Sequence, residues 1–111
     1  MRVIHIRKQF LDQVKAGRKT LEVRVGYPNM LSIQPHQHIK MVSGTEEQVV
    51  SVNDVRKYTS HAEMLKVEDY RKIAPDVTSD AELLRLLQEV YPPQKEKLGV
   101  VVLDIEPIAQ T

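Results

Sequence analysis

The alternation of apolar and polar positions changes period several times along the chain, and each change marks a predicted element. Val3 to Ile6 is short and β-branched, which predicts a strand. From Arg7 onward Ile6, Phe10, Leu11 and Val14 fall on one helical face, and Gly17 stands where a helix C-cap belongs. Lys15 and Arg18 suit the negative pole of that helix. Thr20 to Val25 then alternates strictly. Leu21, Val23 and Val25 point one way and Thr20, Glu22 and Arg24 the other, which predicts a half-buried strand with one polar face.

Gly26-Tyr27-Pro28-Asn29 and Gln34-Pro35-His36-Gln37 read as loops, with Leu31 and Ile33 as apolar anchors between them. His38 to Ser43 reads as a strand, turning through Gly44-Thr45-Glu46-Glu47 into a valine-rich strand over Gln48 to Val55. Two capping-box patterns follow. Ser60 with Glu63 opens a short helix, and Ser79 with Glu82 opens a longer one striped by Leu83, Leu86, Leu87 and Val90. Pro92 and Pro93 end it. Gly99 to Ile105 is a near-continuous apolar run, the signature of a central or barrel strand. Strands joined by hairpins, with helices inserted between them, predict an α+β domain around a mostly antiparallel sheet or small barrel.

The 111 residues suffice for one domain, taken as 1–111 with the last few residues a loose tail. No apolar run approaches the roughly 18 residues of a membrane span, so no membrane partner is expected. The early charges, Arg2, Arg7 and Lys8, argue against a signal peptide. The absence of cysteine removes disulfides, thiolate metal sites and cysteine nucleophiles, and points to a reducing cytoplasm. No motif asks for a cofactor. His36 and His38 make an incomplete metal site and read as exposed turn residues, so no metal is expected.

Net charge is +1, but residues 1–40 carry eight bases against two acids, whereas the remainder is net −5. Such asymmetry suggests a basic face for an anion such as a nucleic-acid backbone, unless folding disperses it. The chemistry concentrates in Gly17-Arg18-Lys19-Thr20-Leu21-Glu22-Val23-Arg24: a cationic turn, then a strand whose polar side chains repeat about every 7 Å. Such a row lines a pocket in which Lys19 and Arg24 donate and Glu22 accepts. Alternatively it is a surface strand with an ordinary ion pair worth under about 1 kcal/mol.

Gly-x-Lys-Thr-x-Glu-x-Arg after a short helix resembles the signature of the ASCH (activating-signal-cointegrator homology) domain. The resemblance extends through Val50, Val52, Val55, Tyr58 and Ser60, through Met64-Leu65 with Glu68, Ile73-x-Pro75 and Tyr91-Pro92, to the closing Gly99-Val100-Val101-Val102. It implies a PUA-like fold, a small, mostly antiparallel β-barrel with helices flanking its openings, and a cleft at the barrel mouth suited to RNA or a modified nucleoside. Members of the family are assigned to RNA binding, RNA cleavage and hydrolysis of N4-acylated cytidines, and fold alone does not choose among them.

The amidohydrolase branch uses a lysine, a threonine three residues later and a glutamate before the last helix. By position Lys19 matches the lysine, Glu22 replaces the threonine, and Asp76 is the nearest acid to the glutamate's place. Thr20 shares the strand face with Glu22, one repeat away. As a base, Lys19 must surrender its proton, which Arg18 and Arg24 favour and Glu22 opposes. A Lys19–Glu22 pair is better suited to bonding a base edge. The binding reading assigns phosphates to Arg7, Lys8, Arg18, Lys19 and Arg24, and stacking on a base to Tyr27 or Tyr58, with Tyr58 alternatively a half-buried support. With five aromatics in all, a pocket for one or two bases is the expected scale. Glu63, Glu68 and Asp69 read as a solvated helix face, and Leu83 to Val90 as core. Binding leads, hydrolysis in the same cleft is the alternative, and a protein-binding adaptor comes third.

Overall fold

A computed structural model describes residues 1–109. The expected loose tail falls partly on residues 110–111, outside the described residues. In chain order the elements are β1 (Arg2–His5), α1 (Lys8–Lys15), β2 (Leu21–Val25), α2 (Pro28–Leu31), β3 (His38–Ser43) and β4 (Glu46–Tyr58). They continue as α3 (His61–Leu65), α4 (Tyr70–Ile73), α5 (Asp80–Val90), α6 (Pro93–Glu96) and β5 (Val100–Pro107). One five-stranded sheet takes the order β1-β3-β4-β5-β2, with β1 and β3 parallel and every other pair antiparallel. It forms a half-barrel, the α+β architecture that the element order predicts and the PUA-like fold that the resemblance implies.

Both faces of the sheet are covered where β5 and β2 run. Along β5, Val101, Leu103 and Ile105 join one cluster with Leu11 and Val14 of α1, while Val100 and Val102 join a second with Met64, Ile73 and Leu83. This explains the apolar run Val100 to Leu103: that stretch of β5 is buried on both faces and has no solvent side on which polar residues could alternate, and Asp104 enters only where burial lessens. The same sandwiching alters β2. Leu21 and Val23 pack in the second cluster, but Glu22 on the opposite face is also buried, at 6% exposure. The expected half-buried strand with an open polar row is therefore a strand enclosed on both sides.

Local signals explain the ends of elements. Ser60 Oγ accepts from Glu63 N and Ser79 Oγ from Glu82 N, both at 3.1 Å. The return half of each capping box is diverted: Glu63 pairs with Lys66 and Glu82 accepts from Thr78. Just past α1, Gly17 takes φ +76, a left-handed conformation that glycine adopts without a Cβ penalty. The N–H groups of Arg18 and Lys19 then both donate to the Gln13 carbonyl, and the chain doubles back so that Lys19 enters beneath α1. β4 outruns the expected Gln48–Val55 because a bulge between Val52 and Asp54 bends it and pairing with β5 continues to Tyr58. The one-turn helices α2, α4 and α6 are too short to leave a periodic pattern.

Because β1 and β2 are the two sheet edges, no ladder joins them. Across this seam Arg24 Nη2 donates to the His5 carbonyl at 2.8 Å.

Candidate functional site

The seam holds a cavity of about 660 Å³, bounded by the end of β1, α1, β2, the 73–77 segment and α5. It wraps the free edge of β2. Thr20 O accepts from Ile105 N and Gly26 N donates to Gly99 O, so the peptide groups of Glu22 and Arg24 face β5 by alternation. Those of Leu21 and Val23 face the seam. Lys19 Nζ claims the Leu21 carbonyl, and Val23 lines the cavity.

At the polar end sits a triad of charges. Lys19, 3% exposed, donates to the carbonyls of Leu21 and Ile73, each at 2.7 Å, and pairs with Glu22 Oε1 at 3.1 Å. The three N–H groups of its ammonium therefore all have acceptors. Arg24 donates to Glu22 Oε2 from Nε at 2.9 Å and from Nη2 at 2.6 Å. Burial is the largest influence on the Glu22 carboxyl and pushes it up. The charges and hydrogen bonds of Lys19 and Arg24 together prevail and hold it below its ordinary range. Two cations on one carboxylate leave the cluster with a net positive charge. The apolar walls are Phe10 on one side and Leu83, Leu86, Leu87 and Tyr91 on the other. The Phe10 ring lies 5.6 Å from Lys19 Nζ, within cation–π reach. Burial raises the Tyr91 phenol above its ordinary value, and its ring stacks on His61 at 5.6 Å.

A second polar group completes the lining. Gln13, 6% exposed, donates from Nε2 to Asp76 Oδ2 at 2.9 Å, while Arg18 Nη2 holds Asp76 Oδ1 at 3.0 Å. A carboxylate only accepts, so Asp76 fixes which way the Gln13 amide points. Gln13 Oε1 is left buried with no partner.

Of the residues singled out in the sequence, Lys19, Glu22, Arg24 and Asp76 thus converge on one cavity, and Arg18 reaches it through Asp76. Thr20, Tyr27 and Tyr58 do not line it. Tyr58 pairs with Val100, whose side chain faces the second cluster, whereas Glu22 and Arg24 oppose Leu103 and Val101 of the first. Tyr58 therefore projects from the other face of the sheet. There its hydroxyl donates to Glu68 at 2.5 Å, beside an Arg56 that grips the same carboxylate at 2.6 and 2.9 Å. Glu68, read as solvated, is in fact a shielded ion-pair partner whose carboxyl is held down chiefly by the Arg56 hydrogen bond.

The charge asymmetry is largely dispersed by folding. Lys8 and Lys15 pair with Glu46, Lys40 with Glu47, and Arg18 with Asp76. Arg7, on the cavity lining, makes no ion pair among the described residues. The aromatic and amide groups that sequence reasoning missed, Phe10, Tyr91 and Gln13, lie on elements brought together only by the fold.

The ASCH domain family model matches residues 4–109. The crystal structure of the hypothetical protein PH0355 is 31% identical and superposes with a TM-score of 0.88 over 97% of this chain and all of that one. The solution structure of protein PF0455 from Pyrococcus furiosus is 30% identical, with a TM-score of 0.79 over 98% of each chain. An ASCH crystal structure from Zymomonas mobilis is 12% identical and shares the fold, with a TM-score of 0.68 over 96% of this chain and 68% of that one. No curated protein matches the chain.

Proposed function

The chain belongs to the ASCH domain family, and from that premise we propose that its seam cavity binds RNA or a modified nucleoside, holding one unpaired base at a time. The observation that carries this reading is the pairing of an apolar, aromatic-walled cavity with a Lys19–Glu22–Arg24 cluster at its floor and the unpaired Arg7 on its lining. A base is a flat apolar ring with a polar edge, and Phe10 and Tyr91 offer faces on which it stacks. Arg7 supplies the positive charge for the adjoining phosphate, and the cytoplasm is where such ligands occur. Lys19, Glu22 and Arg24 shape the floor and leave Arg24 Nη1 to donate to the ligand.

One observation favours the hydrolytic reading: Lys19, Glu22 and Asp76 line the same cavity. Against it, every N–H of Lys19 is committed, and Thr20, the remaining hydroxyl on that strand face, does not line the cavity. Neither supplies an activated nucleophile. Binding is the better-supported function, and prolonged incubation with N4-acetylcytidine is expected to release no cytidine.

The binding test is fluorescence anisotropy with short single-stranded RNA across a salt series. One unpaired cation on one phosphate predicts a log–log slope of about −0.7, against about −3.5 if five cations contacted the backbone. Arg7→Ala is expected to flatten the slope towards zero. Absence of binding to RNA and to nucleosides at low salt would defeat the proposal.

A further inference from the structure

The Gln13 side chain stands out because burial and orientation conflict with its bonding. A buried carbonyl oxygen without a donor costs about 1–3 kcal/mol, and native interiors rarely tolerate it. Here the cost is not relieved by rotating the amide, because that would turn Oε1 onto the Asp76 carboxylate and set two acceptors against each other. Asp76 is itself secured by Arg18. Gln13, which lines the cavity, therefore carries a buried acceptor whose orientation Asp76 fixes.

We propose that Gln13 Oε1 is the specificity determinant of the cleft, accepting a hydrogen bond from the exocyclic amine of a base, and that Asp76 is the positioning residue that holds it in that orientation. The proposal rests on the reading of the cavity as a base site. Cytosine and adenine present an amine next to a ring acceptor. Arg24 Nη1 can donate to such an acceptor while Gln13 takes the amine. Uracil and hypoxanthine put a keto oxygen where the amine would be, so two oxygens with lone pairs face each other and the buried acceptor stays unsatisfied. A site built to bond a polar group rejects the analogue that lacks it far more strongly than an apolar pocket does.

The experiment measures affinities of cytidine, uridine, adenosine and inosine 5′-monophosphates for the intact chain by titration calorimetry. The wild type is expected to prefer each amino ligand to its keto counterpart by about tenfold or more. N4,N4-dimethylcytidine 5′-monophosphate, which has no N–H at that position, is expected to bind as weakly as the uridine ligand. Gln13→Leu should abolish the preference. Asp76→Asn tests the orientation without emptying the wall: an asparagine amide can donate to Gln13 Oε1, freeing the side chain to turn Nε2 inward. The amino preference should then shrink or reverse, a change that simple loss of packing would not produce. Equal binding of all four ligands by the wild type, or an amino preference that survives in both variants, overturns the role of Gln13 while leaving the base site standing. Failure of all four to bind overturns the base site and this inference together.

Discussion

Lys19 and Glu22 meet at 3.1 Å with their side chains 4% and 8% exposed, so an ion pair three residues apart in sequence is buried in the fold. Such a pair is costly to dissect, because removing one partner abandons the other charge away from water. Glu22→Gln is expected to lose about 3–5 kcal/mol, leaving Lys19 and Arg24 without a counter-charge. The loss should be read as a lower denaturation midpoint at unchanged slope. Lys19→Met with Glu22→Gln should lose less than the sum of the two single changes, because the partners share one network. A Glu22→Gln protein as stable as the wild type would show that water reaches the pair.

Acid should weaken the fold in two steps. His61 is buried, and burial holds its imidazole below the ordinary 6.5 despite Glu96 Oε1 at 3.3 Å from Nδ1, which works the other way. Its unfolded form binds the proton first, so stability declines as pH falls below about 6.5. Glu22 and Glu68 are held below 4.5, so their contribution is complete above that value and is lost as pH falls through their lower native values. Urea midpoints between pH 8 and 3 should show both declines, and His61→Phe should remove the first. A flat profile from pH 7 to 5 in the wild type would refute the assignment to His61.

The aromatic residues divide by face. Phe10→Ala and Tyr91→Ala should each weaken RNA or nucleoside binding by about 1–3 kcal/mol, the worth of one base stack. Tyr58→Phe should leave binding unchanged and instead cost about 1.5–3 kcal/mol of stability, because it deprives Glu68 of a charge-assisted donor. Anisotropy titrations and thermal melts on the same three variants separate the two effects. Loss of binding in Tyr58→Phe would move the site to the other face.

What the sequence discloses depends on how local each constraint is. The Thr20–Val25 alternation was visible because strand geometry alone decides which side chains share a face, and Gly17 because a helix end needs a left-handed residue. Gln13 and Phe10 share α1 with core residues, and nothing local shows that the helix end lies over the edge of β2. The Leu83 to Val90 stripe reads as core, yet only Leu83 is buried and Leu87 half-buried, while Leu86 and Val90 are exposed and line the cavity, since a helical stripe looks the same whether it covers a sheet or a hollow. Tyr58 reads from sequence either as a stacking residue or as a half-buried support, and only its pairing with Val100 beyond the bulge, which composition does not reveal, puts it on the face opposite Glu22 and Arg24. Glu68 looked solvated because its partners, Arg56 and Tyr58, lie on a strand ten and more residues upstream.

The unladdered seam between β1 and β2 makes this molecule a jaw rather than a drum. Prising it open sacrifices the Arg24–His5 bond, not a row of strand bonds, while β3, β4 and β5 stay clasped. The gape is set by α1 and α5, which flank the gap on either side. Substitutions on the cavity side of those two helices can therefore reshape the hollow while the ladders that join β3, β4 and β5 are left untouched.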